Sequence, residues 1–144
     1  MKTLIFKTQL FGEKEIQREI EVPENFSLYN LAEAIINAYD FDFDHCFGFF
    51  RKISNGWDFE DTEKYELFTD LIEEGEDIEP TGAGSVKKTK VRDVWKEPTD
   101  RMLFLFDYGD ERRWIVTFQA FGEKRHNAKY PKTFSRKGRI PRQR

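Results

Sequence analysis

One cysteine, two histidines, two methionines and five prolines are spread over 144 residues. Cys46, standing alone, rules out an internal disulfide and any CxxC pair for zinc or redox work. With only His45 and His126 present, a metal site made of several imidazoles is ruled out as well. No apolar run approaches the ~20 residues of a membrane span, so no membrane partner is expected. The N-terminal apolar patch of MKTLIFKTQL is broken by Lys7 and Gln9, and no small-residue cleavage site follows it, against a signal peptide. A reducing, cytoplasmic setting is the expectation.

Motifs of catalysis are also missing. There is no G-x-S-x-G, and His45 beside Cys46 is no dyad, because neighbours on a strand point to opposite faces. GAGSVKKT, Gly82 to Thr89, lacks the Walker spacing: one residue separates its glycines and Val86 precedes Lys87. That stretch reads as a flexible loop. No cofactor is expected.

Phenylalanine is abundant instead. There are 15, aromatics make up 16% of the chain, and the hydrophobic fraction is only 38%. Each ring buries a large area, so the core is expected to be Phe-rich, in a chain long enough to need no metal or disulfide staple. Charge is unevenly placed. The net charge is −3, yet residues 124–144 hold nine of the 24 basic residues and no acid. Residues 40–79 hold 14 acids against Arg51, Lys52 and Lys64. An acidic middle and a basic end follow.

Periodicity orders the chain. Leu4, Phe6 and Thr8 share one face of a strand, and Ile16, Arg18, Ile20 and Val22 one face of the next; the two are close enough for a hairpin closed at Gly12. Arg18 interrupts its apolar face and needs a partner or a route to solvent. Ser27 caps a helix over 28–39, whose apolar stripe is Leu28, Leu31, Ala32, Ile35, Ile36 and Tyr39. A strand is expected from His45, a short helix within EKYELFTDLIEEGED, and a hairpin around Tyr108-Gly109-Asp110 with Gly109 free to take positive φ. The expected fold is therefore α+β: a mixed β-sheet with its N-terminal hairpin packed on one main helix, β-grasp-like in element order. Residues 1–123 are expected as a single domain, with 124–144 a basic tail, extended or partly disordered.

YDFDFDHCFGFF, Tyr39 to Phe50, is the densest chemical signal. Asp40, Asp42 and Asp44 begin like an EF-hand loop, but His45 stands where the loop needs Gly and Arg51 where it needs a bidentate Glu. The bland alternative points Phe41, Phe43, Phe47 and Phe49 inward and leaves the aspartates in water. A transition-metal site of His45 and Asp44 with Asp107 and Asp110 is the other alternative.

Three segments read together resemble one family: REIEVPENFSLYNLAEAIINAYDFDFDH, KVRDVWKEPTDRMLFLFDYGDE and YPKTFSRKGRIPRQ. They are similar to the plasmid pRiA4b ORF-3-like family, over nearly the full chain. Its pattern is a strand ending in V-P, a helix, an aspartate-bearing loop with a His, and an F/Y-D-F/Y-G-D hairpin. This sequence departs from it at Arg112, where Trp is common, with Trp114 two residues later where relatives carry His or Phe. Pro141-Arg142 replaces a Pro pair. The resemblance implies a defined Asp107–Asp110 turn but no activity, since the family is largely uncharacterised. Some members carry a resolvase-like label, which no serine region here supports.

The leading expectation is a non-catalytic binding module. Its candidate residues are Asp40, Asp42, Asp44, His45, Asp107, Tyr108, Asp110, Arg112 and Trp114, on an acidic body that would meet a basic protein partner. A second expectation is nucleic acid held by Lys124, Arg125, Lys129, Lys132, Arg136, Lys137, Arg139, Arg142 and Arg144. A third is a metal-assisted hydrolase using His45 and the nearby aspartates.

Overall fold

The computed structural model describes residues 1–139. Its elements are β1 (Lys2–Leu10), β2 (Glu13–Pro23), α1 (Leu28–Ala38), β3 (Phe47–Phe50), β4 (Lys64–Glu66), α2 (Leu67–Glu73), α3 (Val91–Val94), β5 (Arg101–Phe106), β6 (Arg112–Glu123) and β7 (Lys132–Lys137). All seven strands join one sheet in the order β4-β3-β5-β6-β1-β2-β7. Every pairing between these strands is antiparallel. No helix among the described residues is long and apolar enough to cross a membrane.

The class is α+β, but the expected mixed sheet is not formed. Element order along a chain carries no information on strand direction, and the β-grasp-like reading rests on that order alone. Here α1 carries the chain from β2 to β3, past the three intervening strands β1, β6 and β5. That crossover joins strands which point the same way without making them neighbours, so no parallel pair arises.

The front face of the sheet carries the main core. Leu4, Phe6, Ile20, Phe47, Phe49, Phe104, Phe106, Trp114 and Phe118 are all buried there with the apolar stripe of α1. Ser27 opens α1 with a capping box: its Oγ accepts from Asn30 N (3.0 Å) while Asn30 Oδ1 accepts from Ser27 N (3.3 Å). The helix stops in a Schellman pattern. Phe41 N donates to Ile36 O (3.0 Å), Asp40 N donates to Asn37 O (3.1 Å), and Asp40 takes the left-handed φ of +58°. Asp40 is thus a helix-stop residue.

Among the described residues Arg18 finds no carboxylate, and it is shut off from open solvent. It is 4% exposed, and its guanidinium donates to the carbonyls of Ala38 (3.2 Å), Gln17 (2.6 Å) and Lys137 (2.7 Å). Arg18 therefore ties β2, the C-terminal end of α1 and β7 together, and a cation suits that helix end. The ring of Tyr39 lies 5.0 Å from its guanidinium carbon.

The basic segment after residue 123 does not lie on the acidic body. Over Lys132–Lys137 it runs extended as β7, an edge strand on β2. Arg142 and Arg144 lie outside the described residues. The Gly82–Ser85 stretch, expected to be a free loop, is tied down: Gly84 exchanges two backbone hydrogen bonds with β4, Glu66 N to Gly84 O (3.0 Å) and Gly84 N to Lys64 O (2.9 Å). Ser85 and the Val86 amide both donate to the buried Asp70 carboxylate.

Candidate binding site

The Asp-rich loop and the β5–β6 turn do meet. His45 Nδ1 is 2.6 Å from Asp44 Oδ1, and His45 Nε2 is 3.5 Å from Asp107 Oδ2. Phe41, Phe47 and Phe49 are buried, Phe43 is half-buried against Phe47 and Phe106, and Asp40, Asp42 and Asp44 are exposed. His45 therefore bridges two carboxylates on opposite sides of its ring. One ion cannot take the imidazole and both carboxylates together, because each ring nitrogen already faces a different acid. Among the described residues, no group of three or more His, Cys, Asp and Glu is arranged to hold a metal. Asp110 contributes to the turn through its amide, which donates to Asp107 Oδ1 at 3.2 Å.

The turn's strain falls elsewhere than expected. Gly109 is not in the left-handed region; Asp107 (φ +67°) and Glu111 (φ +55°) are. Asp107 Oδ1 accepts from the amides of Gly109 (3.0 Å) and Asp110, so the side chain offsets the backbone strain locally. Trp114, expected at a binding surface, is fully buried beside Tyr39, Phe41 and Phe104. Its place in β6 opposite Phe104 puts it on the α1 face. Arg112 is half-buried, with its guanidinium carbon 5.7 Å from the Phe41 ring centre.

Tyr108 leads to the other face of the sheet. Gly48 pairs with Leu105 and with Glu66, and Phe50 pairs with Leu103, so these side chains share the back face. Residues 51–62 fold over it. Phe59 stacks on Phe50 at 4.1 Å, and Phe50, Phe59, Leu103 and Leu105 form a second small core joined by Phe11, Ile53 and Tyr108. At its margin Tyr108 packs against Trp57 (5.9 Å) and Phe68 (4.8 Å). The Tyr108 hydroxyl donates to Glu66 Oε2 at 2.6 Å, and Thr81 Oγ1 donates to Glu66 Oε1 at 2.6 Å. Glu66 is only 5% exposed, so these two hydroxyls replace the water its carboxylate has lost. Burial, then the adjacent Glu66 charge, push the Tyr108 phenol well above its ordinary value. Burial and then Glu66 likewise push the nearby Cys46 thiol up, away from the thiolate form.

Two clefts open on either side of Trp57. One, of about 170 Å³, is lined by Phe50, Trp57, Phe59, Glu60, Lys64, Glu66, Thr81 and Tyr108. The other, of about 690 Å³, is lined by Arg51, Lys52, Trp57, Asp58, Glu60, Asp61 and Thr62. Trp57 is 52% exposed, and the Arg113 guanidinium carbon lies 5.5 Å from its ring centre. The cations of the larger cleft are already engaged: Arg51 with Glu63, and Lys52 with Asp58. Lys52 first, then Ser54, hold the Asp58 carboxyl down at about 2. Glu60 and Asp61 are exposed and have no hydrogen-bond or ion-pair partner among the described residues. The clefts thus offer a half-exposed indole and unmatched negative charge.

Of this site, sequence reasoning had only Tyr108. Trp57 stands in SNGW, whose Ser, Asn and Gly are turn residues. A large apolar ring within a polar turn flanked by Asp58, Glu60 and Asp61 was the available signal, since exposing an indole is costly unless something covers it. Glu66, Phe68 and Thr81 carried no such signal, because long-range strand pairing alone brings them to Tyr108.

The family model for plasmid pRiA4b ORF-3-like proteins matches residues 2–143. The crystal structure of a protein of unknown function from Methanosarcina mazei Go1 is similar, with a TM-score of 0.72 and 24% identity. That similarity covers 94% of this chain and 69% of that one, and shows the fold. No curated protein matches.

Proposed function

The chain belongs to the plasmid pRiA4b ORF-3-like family, and on that footing we propose that it is a non-catalytic binding module that takes a basic protein segment at Trp57. The observation that carries this reading is Trp57 itself, half-exposed as the shared wall of two clefts that Glu60 also lines. An indole face attracts a Lys or Arg head, and it does so more strongly as the cation loses water. Glu60 and Asp61 add Coulomb attraction and steer a basic partner toward the clefts. The buried Glu66–Tyr108–Thr81 hydrogen bonds hold the floor in place, so little ordering remains to be done on binding.

Titration with a lysine decapeptide at low salt, followed by tryptophan fluorescence, tests this. Trp95 and Trp114 are fully buried, so the response belongs to Trp57 and disappears in Trp57→Phe. Glu60→Gln/Asp61→Asn is expected to weaken binding by about threefold to tenfold, the size of one or two exposed charge contacts. A wild-type protein that shows no response, or a Trp57→Phe variant that responds equally, removes the reading.

The exposed cations within 124–139 favour a second reading, binding of a polyanion such as nucleic acid. It requires affinity for a single-stranded oligonucleotide to fall steeply with salt and to be lost in Arg125→Gln/Lys129→Gln/Lys132→Gln.

A further inference from the structure

Resting on the Trp57 cleft as a receptor for cations, we propose that its occupant is the basic edge of a second copy of this chain, and that the protein associates head to tail. The fold sorts charge to opposite edges of one sheet. Beside β4 at one edge, Glu63, Glu73 and Glu74 are paired with Arg51, Lys88 and Lys87. Glu60, Asp61, Glu76, Asp77 and Glu79 are exposed there without an ion pair among the described residues. At the other edge lie β7 and the loop leading into it. Lys124, Arg125, Lys129, Lys132, Lys137 and Arg139 are exposed there, again without an ion pair among the described residues.

The strand order sets β4 and β7 six strand spacings apart, roughly 29 Å at about 4.8 Å each, while Trp57 reaches inward over the sheet to Arg113 of β6. β7 is hydrogen-bonded to β2 and held by Arg18. Residues 124–139 therefore cannot satisfy the acidic edge of their own chain, and each patch is left to find its complement on another molecule.

The patches also decide the symmetry. Residues 124–139 carry only basic charges, and the exposed charges left without an ion pair beside β4 are acidic, so a two-fold contact made by either patch sets an excess of like charge face to face; Glu21, opposite Lys132, and Glu123 offset part of the basic excess. A heterologous contact, acidic edge of one copy to basic edge of the next, brings the opposite excesses together. Such contacts leave one free edge of each kind at the ends of a pair, so growth continues beyond two. The outer side of β4 is already closed by Gly84, which excludes strand addition there and leaves a contact made by side chains. Phe134, 48% exposed on β7, gives the basic edge an apolar group for Trp57.

Sedimentation velocity of the full chain tests this at about 20 mM and about 300 mM salt, where the screening length falls from roughly 20 Å to under 10 Å. Two variants accompany the wild type: Glu60→Gln/Asp61→Asn, and Lys129→Gln/Lys132→Gln. All four sites are exposed, and thermal melts confirm folding. The wild type is expected to exceed dimer mass at low salt, rising with concentration, and to fall to monomer at the higher salt. Each variant alone associates about threefold to tenfold more weakly than the wild type. An equal mixture associates more tightly than either variant alone, because each variant supplies the edge that the other lacks. A wild type that stays monomeric at low salt up to about 100 μM overturns the proposal, as does either variant that associates as tightly as the wild type; that concentration corresponds to a contact weaker than about 5.5 kcal/mol. If such a monomer still binds the lysine decapeptide through Trp57, the cleft reading stands while the self-association fails. If the peptide does not bind either, both fail.

Discussion

Gly48→Ala sets two effects of opposite sign against each other at the floor of the site. In a strand with ordinary φ, replacing Gly by Ala reduces the freedom of the unfolded chain and stabilises by about 0.5–1 kcal/mol. Here the new methyl would lie 2.9 Å from Glu66 Cγ, 2.9 Å from the Tyr108 hydroxyl and 3.1 Å from Phe50 Cε2. None of these can retreat easily. Glu66 is held by two hydroxyls, Tyr108 is packed by Trp57 and Phe68, and Phe50 is stacked on Phe59. Overpacking of this kind costs about 1–3 kcal/mol. Moving the Tyr108 hydroxyl off a buried carboxylate costs about 1–3 kcal/mol more. The balance is a loss of about 1–5 kcal/mol, which at its midpoint lowers the melting temperature by on the order of 10 °C for a chain of this size. Urea unfolding at 25 °C, read by far-UV circular dichroism, measures it. Tyr108→Phe removes the oxygen that the methyl meets, so the double variant should lose less than the sum of the two single changes. A Gly48→Ala protein as stable as the wild type, or strict additivity in the cycle, would refute the close approach of Glu66 and Tyr108 over Gly48.

Two further outcomes follow from the backbone and the phenols. Asp40 occupies the left-handed residue after α1 with its side chain in solvent, so Asp40→Gly should stabilise by about 0.5–1 kcal/mol in the same urea assay; destabilisation would mean that its carboxylate has a role the helix stop does not explain. Burial raises the phenols of Tyr39 and Tyr108, and raises Tyr65 to about 12 with Glu63 adding to it. A phenol whose folded value lies above its unfolded value near 10 contributes fully below pH 10, and that contribution is lost as pH rises toward the folded value. Stability should therefore decline from about pH 10 upward, and a 295 nm titration should find three of the five tyrosines ionising late. Five ordinary phenols titrating together near 10 while the protein stays folded would contradict the burial of Tyr39 and Tyr108.

Local chemistry made much of the fold legible in advance. Leu28 to Tyr39 repeats at the helical period and Ser27 precedes it, so α1 could be placed to within a residue of its end. Alternation placed β1 and β2, and the aromatic run from Phe41 to Phe49 pointed inward because rings and hydrated carboxylates cannot share a surface. The Asp107–Asp110 turn was visible too, though not that Asp107 and Glu111 would carry the strain, since a five-residue connection distributes positive φ by geometry and not by glycine content alone.

What the residues left open was everything set by distant pairing. Arg18 announced a problem in its strand, but only α1 and β7 packing against it supplied the carbonyls of Ala38 and Lys137 that, with that of its neighbour Gln17, answer it. Trp114 had the composition of a binding residue and became core because its register opposite Phe104 turned it toward α1. Glu66 and Tyr108, 42 residues apart, touch because β4, β3 and β5 are neighbours in the sheet and Gly48 leaves room between them. Side-chain periodicity is written residue by residue, and so survives in the sequence. Strand order, strand direction and the face a loop comes to cover are collective outcomes of burying one core, and no single stretch of the chain encodes them.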